Sequence, residues 1–500
     1  MATIDTEQAT SEGLLSEFLS QSSIPLYIDG EWRAAREGGE IDVLRPADGA
    51  QLATIAAATA ADVDDAVRAA DRAGREWATM PVAARAVIIH RFADLIDRNT
   101  EELARLEAMD VGKVVGDARG FDIPFSAESF RYFADLSVHL RDSDPIPLKE
   151  IEARQIRVPY GVCGFIIPWN FPFMLFAWNV APALAAGNTA VVKPAELTPL
   201  TTLLACRLAE EAGIPPGVLN VVPGLGTEAG AALSSHPGIK RIAFTGSPEI
   251  GRAVAQAAAG NLVPAKLELG GKGAAVIFDD VDVAQTADAL AGAITLNAGQ
   301  VCCTATRWIV QRRIFDDLVD AASQKLSGVT LGQSLDEEAE LGPVVSETQR
   351  KRILDYLDKG RKEGASFILE GGARQPEGAE GGYYVSPALL TGSPDNICVR
   401  EEIFGPVAYV MPFDDEEDAI QIVNSSSYGL ANSVWSEDIG RANSVAEQMV
   451  AGNSWINAHN VFAYGLPYGG VNLSGFGGGV NSMQTYLDYL RPQTIARPLS

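Results

Sequence analysis

Between residues 59 and 109 the apolar positions recur three and four apart. Thr59 and Asp62 form a capping pair that opens a helix carrying Val63, Ala66, Val67 and Ala70 on one face. The same spacing predicts a second helix over 82–98 and a third over 100–109, so this region reads as a helical layer. Before it, 26–32 reads as the start of a hairpin with Gly30 at the turn, and residues 1–22 read as a loosely held polar tail. From Val162 the period changes. Short apolar runs over 162–167, 190–193, 219–222 and 239–244 read as strands, with helices such as 200–212 between them. This is the βαβ rhythm of a parallel sheet, whose ligands lie beyond the carboxyl ends of the strands. Further on, 274–278 reads as a buried strand. Residues 283–297 read as a helix with Val283, Ala287, Leu290, Ala291 and Ile294 on its apolar side. Two stretches alternate with period two: 151–158, set among Pro145, Pro147 and Pro159, and the tail 493–497. They read either as an exposed arm that extends sheets across a subunit interface or as ordinary edge hairpins.

Composition narrows the functional classes. A chain of 500 residues that is 47% hydrophobic can bury a large core and form two or three domains. Its formal charge of −26 repels phosphate backbones and anionic membranes, so neither nucleic acid nor membrane is an expected partner. The five cysteines are an odd number in a long chain, which excludes a disulfide framework. None of the four histidines is paired at metal-ligand spacing, so no metal site is expected. The N-terminus lacks the basic start and apolar core of a signal peptide, and no apolar run is long enough to span a bilayer. A reducing cytoplasm is the expected compartment.

The chemistry concentrates between Glu268 and Cys303. Glu268 sits among glycines in Leu267-Glu268-Leu269-Gly270-Gly271-Lys272, and Gly299-Gln300-Val301-Cys302-Cys303-Thr304 closes the stretch. A strand and a helix lie between, so the two ends can fold back into one cleft. A thiol and a carboxylate there suit covalent catalysis: sulfur attacks and the acid later activates water. On this stretch alone the alternative stands level, with Glu268 as a cap and Cys302 and Cys303 as small core residues. The strand ends add Pro168-Trp169-Asn170-Phe171-Pro172, Lys193-Pro194-Ala195-Glu196, Pro223-Gly224-Leu225-Gly226 and Thr245-Gly246-Ser247. The last opens a helix, where backbone N–H groups can meet a pyrophosphate. Neither Gly246 with Gly251 nor Gly224, Gly226 and Gly230 completes the Gly-x-Gly-x-x-Gly fingerprint.

Six separated motifs, 168–172, 193–196, 244–247, 267–272, 299–302 and 401–406, occur in the order of the NAD(P)-dependent aldehyde dehydrogenase superfamily. The chain closely resembles its hydrolytic, non-acylating branch over nearly its whole length. The resemblance implies an α/β fold: a Rossmann-like cofactor domain (23–141 and 160–269), an α/β catalytic domain (270–481) and a small β oligomerisation arm (142–159 and 482–500). It implies Cys302 as nucleophile, attacking an aldehyde to give a thiohemiacetal and then a thioester. Asn170 would donate to the oxyanion beside the Cys302 N–H, and Glu268 would activate the hydrolytic water. Cofactor contacts would come from Ile167, Pro168, Trp169, Lys193, Glu196, Gly226, Gly230, Phe244, Thr245, Gly246, Ser247, Leu269, Gly270, Glu402 and Phe404. Glu196 accepts from a 2′-hydroxyl and repels a 2′-phosphate, which favours NAD over NADP.

The resemblance also implies that Phe171, Leu175, Trp178, Val301, Cys303 and Phe462 surround the aldehyde. Three are aromatic and none is charged, so an aromatic, arylalkyl or medium-chain aliphatic aldehyde is expected. Residues 455–459 resemble the phenylacetaldehyde-type members. His459 is expected to be structural, and Asn179 and Tyr464 to add polarity at the mouth. The chain departs from the family's Gly-Gly-x-Lys-x-Ser-Gly-x-Gly-Arg-Glu pattern, with Asn472 for the lysine and Gly478-Gly479 for the Arg-Glu pair. The glycines of 475–479 are expected to leave that loop mobile. The resemblance implies a homodimer or a homotetramer. Two other readings stand beside it: a CoA-acylating semialdehyde dehydrogenase, and a catalytically silent cofactor-binding protein.

Overall fold

The computed structural model describes residues 12–141 and 143–499. Two large sheets organise them. The first has eight strands, in the order Glu31–Arg33, Leu26–Ile28, Leu219–Val221, Thr189–Lys193, Val162–Ile166, Arg241–Thr245, Ala265–Glu268 and Gly475–Phe476. Its five central strands are parallel and its outer pairings antiparallel. Alternate residues of the parallel strands enter two different cores. Val191, Ile242 and Leu267 join one with the helix Ala60–Thr79, while Ala190, Val192, Phe165 and Ala243 join the other with Pro172–Ala185 and Leu200–Ala212. Both faces are covered, which is why these strands read as unbroken apolar runs.

The order of the strands fixes where a ligand can sit. The chain lays down Val162–Ile166, Thr189–Lys193 and Leu219–Val221 in one direction, then returns to place Arg241–Thr245 on the other side of Val162–Ile166. The connections after Val162–Ile166 and Arg241–Thr245 therefore diverge, and a crevice opens between them at the carboxyl ends.

The second sheet runs Ser366–Leu369, Ala388–Thr391, Val407–Phe413, Ala305–Gln311, Gly273–Ile277, Ala431–Trp435 and Asn453–Ile456, parallel except at its first strand. The chain crosses from the first sheet to the second between Glu268 and Gly273. It returns at Gly475–Phe476, so the segment 270–481 does not stay within the second sheet.

Several expectations change. The tail is not loose over its second half: Glu12–Leu19 is a helix, Phe18 is fully buried and Arg207 lies 5.7 Å over its ring. Leu14, Leu15, Phe18 and Leu19 give this short piece an apolar side that docks on the helical layer. Residues 1–11 lie outside the described part. The two alternating stretches are each other's partner. Leu490–Pro498 pairs antiparallel with Ile151–Pro159 over its full length, and Ser143–Ile146 lines the other side. The glycines of 475–479 serve close packing. Added Cβ atoms would stand 2.1 Å from Leu267 O at Gly475, 2.1 Å from Ala265 O at Gly477 and 2.3 Å from Asp488 Oδ2 at Gly478. Among the described residues no helix is long and apolar enough to cross a membrane, and no group of three or more His, Cys, Asp and Glu could hold a metal ion.

Candidate active site

The turns that carry Glu268 and Cys302 come together because of a crossover. Gly273–Ile277 and Ala305–Gln311 are parallel neighbours with Gly273 opposite Ala305, joined by the helix Val283–Thr295. The residues just before each strand therefore share one end of the sheet. A Cβ on Gly271 would lie 2.1 Å from Cys302 O, so the two turns touch through bare backbone.

The helix expected to reach residue 297 stops at Thr295. Asn297 and Ala298 take left-handed conformations, with φ of 47° and 53°, and Gly299 follows at 72°. Consecutive left-handed residues are costly outside glycine and persist where their surroundings hold them. Here Asn297 Nδ2 donates to Asn170 O at 2.8 Å, and Asn170 Nδ2 donates to Gln300 O at 2.9 Å. Gln300 Oε1 accepts from Val345 N at 3.0 Å. The strained turn thus ties the Asn170 loop to the Cys302 loop. Asn170 has one amide hydrogen engaged and a second left to donate.

Cys302 opens onto a cavity of about 380 Å³. All six residues expected around a substrate line it, Phe171, Leu175, Trp178, Val301, Cys303 and Phe462, and so does Asn170. On the other side stand Pro168, Trp169, Thr245, Gly246, Ser247, Leu269, Gly270, Glu402 and Phe404. Ser247 caps the helix Pro248–Gly260, whose first turn faces this space. Phe404 is held at φ 63°, its ring edge-on to Trp169 with centroids 5.3 Å apart.

Four expected residues lie along the rim of the first sheet, outside this cavity. Lys193 ends its strand and pairs with Glu196 at 2.7 Å, with Glu196 half-buried. Gly226 and Gly230 bound a short turn, and Gly230 approaches Lys193. Ile167 and Phe244 are buried behind the wall, where the Phe244 ring packs against Gly246. Glu268 is also set back. It is buried, and neither carboxylate oxygen has a hydrogen-bond partner among the described residues. Burial holds its pKa well above the ordinary value, Lys266 opposes that shift and Cys302 adds to it.

The nucleophile is tuned the other way. The neighbouring Cys303 thiol and the Tyr468 hydroxyl, 3.5 Å from the sulfur, lower the Cys302 pKa against burial, while the Cys303 thiol itself donates to Asn460 Oδ1 at 3.3 Å. Glu402 Oε1 accepts from Gly271 N at 2.8 Å, while desolvation pushes its carboxyl up to about 7. His459 is structural, as expected. Its ring lies between Ser433 Oγ (2.9 Å) and Cys303 O (2.8 Å), and burial lowers its pKa to about 4. Tyr464 spends its hydroxyl on Phe125 O at 2.6 Å, and Asn179 Nδ2 donates to its own helix at Leu175 O, while Asn179 Oδ1 has no partner among the described residues.

Three contributors were not read from the sequence. Tyr468 closes an aromatic wall with Trp178 and Phe462, at centroid distances of 5.8 and 5.4 Å. Its position before Gly469-Gly470 was the available signal. Gln349 donates to Phe404 O at 2.6 Å, and Arg352 to Glu402 O at 2.8 Å, both from the helix Glu347–Lys362. Nothing local marks that pair, which reads as the polar side of an amphipathic helix.

Residues 32–495 match the family model described as the aldehyde dehydrogenase family. Aldehyde dehydrogenase 1 of Tanacetum cinerariifolium is 39% identical, with 95% of each chain covered. The betaine aldehyde dehydrogenase of Rhizobium leguminosarum is also 39% identical, over 94% of this chain and 96% of that protein. The NAD+ complex of an aldehyde dehydrogenase from Bacillus cereus superposes with a TM-score of 0.95 at 39% identity, covering 98% of this chain and 99% of that one.

Proposed function

The chain belongs to the aldehyde dehydrogenase family and is an NAD-dependent oxidoreductase; from that premise we propose that Cys302 carries the acyl group and that the substrate is an aromatic, arylalkyl or medium-chain aliphatic aldehyde. The carrying observation is the position of the Cys302 thiol, between an uncharged aromatic wall and a glycine-rich turn at a helix N-terminus.

The donor set fits NAD. The Lys193–Glu196 pair suits ribose hydroxyls, the first turn of Pro248–Gly260 suits a pyrophosphate, and Glu402 with Phe404 suits the second ribose and the nicotinamide. When bound, NAD supplies the hydride acceptor. The chain's own residues do the rest. Cys302, favoured as thiolate, adds to the aldehyde carbon to form a thiohemiacetal. The spare Asn170 amide hydrogen and the Cys302 backbone N–H stabilise its oxyanion. After oxidation the acyl group remains on sulfur as a thioester. Glu268 takes a proton from water, the water oxygen adds to the thioester carbon, and the carbon–sulfur bond breaks to release the acid. Glu268 also argues against transfer to CoA, since an activated water would destroy the thioester first.

The wall supports an apolar substrate over a cationic one. Aromatic walls can also hold ammonium groups, but Lys113 Nζ already lies 4.0 Å from the Phe171 ring centroid. The test is a panel of aldehydes with NAD and with NADP, followed by NADH absorbance. Highest kcat/KM is expected for arylalkyl and medium-chain aldehydes with NAD, and adding CoA should yield acid with no acyl-CoA. A preference for trimethylammonium or amino aldehydes would overturn the substrate reading. Normal turnover by Cys302→Ala would overturn the mechanism.

A further inference from the structure

Lys266 and Glu268 stand two apart on the strand Ala265–Glu268, so both side chains leave the same face of the sheet. Neither meets bulk solvent: Lys266 is 1% exposed and Glu268 7%. Among the described residues Lys266 Nζ has no hydrogen-bond partner, and neither has either Glu268 oxygen. A buried ammonium and a buried carboxylate left unpaired are costly unless they serve each other or a reaction.

Charged groups behind them lead toward the surface. Ala243 of the parallel neighbour strand is opposite Lys266, so Arg241 leaves this face too. Its guanidinium donates to Gly477 O at 3.0 Å and lies 5.3 Å from the Tyr489 ring centroid; Lys266 Nζ lies 5.7 Å from the same centroid. Asp488 bridges inside and outside. Its Oδ2 is buried with no hydrogen-bond partner, while Oδ1 accepts from Gln484 Nε2 at 2.8 Å on the exposed side. Gly478 makes this approach possible, because a Cβ there would fall 2.3 Å from Asp488 Oδ2. The glycines that break the family pattern thus leave room for an acidic group behind Lys266.

We propose that Lys266 and Asp488 form the proton exit for Glu268 during acid release. This rests on the assignment of Cys302 and Glu268 above. Each hydrolysis leaves the water-derived proton on Glu268, in a pocket without direct access to solvent. The proton passes by way of a water molecule to the lone pair of the Lys266 amine, Lys266 returns it through water to the Asp488 carboxylate, and Asp488 releases it to the surface. Glu268 is left ionised for the next cycle, and no bond to carbon changes. The charges facing Lys266 suit a group that both accepts and releases. Burial, and after it Arg241, lower its pKa while Glu268 and Asp488 favour the protonated form, leaving it at about 8. Cys302 faces Glu268 from the cavity, and Cys163 faces Arg241 and Tyr489 from the next strand. Lys266 does not touch substrate; it is a positioning residue that acts through Glu268.

The test separates acylation from acid release. Wild type, Lys266→Met and Asp488→Asn are followed by stopped-flow NADH formation from about pH 6 to about pH 10. Lys266→Met should keep a full burst, release acid about tenfold more slowly, and need about one pH unit more to reach its plateau, because Glu268 loses its neighbouring cation. Asp488→Asn, at a half-exposed position, should slow acid release severalfold with an enlarged solvent isotope effect, whether or not Lys266→Met folds. Unchanged acid release and pH limb in Lys266→Met, or an unchanged rate and isotope effect in Asp488→Asn, would overturn the exit route. Equal loss of burst and acid release would overturn it too. A wild type without any burst would instead remove the Cys302 assignment on which it rests.

Discussion

The phenol oxygen of Tyr468 lies 3.5 Å from the sulfur of Cys302, inside the aromatic wall of the cavity. An O–H donated to a developing thiolate is a charge-assisted bond in a dry site, which stabilises the anion more than the thiol. Tyr468→Phe keeps the ring and its packing on Trp178 and Phe462 while deleting the donor. The pH midpoint for alkylation of Cys302 by iodoacetamide should rise by about one unit, equivalent to about 1.4 kcal/mol. The neighbouring Cys303 thiol remains, so the shift is partial. An unmoved midpoint would show that the hydroxyl serves the substrate and not the thiol.

Glu268→Gln preserves shape and removes the base. One equivalent of NADH should appear per site at close to the wild-type rate, and steady turnover should then fall by roughly 10² to 10⁴. The wild-type pH profile follows from the direction of the shift. Burial raises the Glu268 pKa, so the active carboxylate is lost on acidification at a higher pH than an ordinary glutamate would show. Acid release should therefore climb with pH through a limb lying above the usual carboxylate range. The variant should lack that limb, and a variant that kept it would exclude Glu268 as its origin.

Glu196 is half-buried and tied to Lys193. Its carboxylate would repel a 2′-phosphate, and Lys193 would attract one once released. Glu196→Gln should raise KM for NAD a few fold and shift the kcat/KM ratio of NADP to NAD upward by about tenfold. An unchanged ratio would place cofactor discrimination elsewhere.

The parts of this molecule legible in its sequence are those where period or chemistry is local. The helix over 82–98 was read with the bounds it has, because apolar spacing and the following Asn99-Thr100 mark both ends. Cys302 and Glu268 stood out because thiol and carboxylate lie in short glycine-flanked motifs, whereas Asn170 and the apolar wall, spread from 171 to 462, came only through the family resemblance. What could not be read depends on distant closure. Lys266 alternates with Leu267 and Glu268 as though it faced solvent, and only the return of Gly475–Phe476 and the turn at Asp488 bury it. Gln349 and Arg352 join the site only when their helix docks behind Glu402 and Phe404. The left-handed Asn297-Ala298 turn interrupts a stretch whose apolar spacing still looks helical, and bonds to Asn170 and Gln300 decide its geometry.

Gly299 follows that turn at φ 72°, and a Cβ there would lie 2.2 Å from the carbonyl atoms of Gly405. Backbone meets backbone, so no side chain can move aside. Gly299→Ala should cost more than about 4 kcal/mol or separate the Cys302 loop from the Glu402–Phe404 loop. Thermal unfolding with and without NAD distinguishes the two outcomes. A fold of normal stability whose NAD affinity is also normal would contradict the close packing.

His459 offers a stability readout near the nucleophile. Its ring is buried between Ser433 and Cys303 O, and its pKa falls from about 6.5 to about 4 on folding. A depressed folded pKa means that the neutral ring belongs to the native state and that protons bind the unfolded chain first. Its contribution is fully present above about pH 6.5 and is lost as pH falls toward 4, amounting to about 3 kcal/mol. Glutamine can donate to Cys303 O and accept from Ser433 without titrating. The Tm of wild type should therefore drop more steeply than that of His459→Gln over this window, with the two curves running parallel above it. Parallel curves throughout would show that the ring does not sense protons, and would remove the pH dependence argued for this support of the Cys303 backbone.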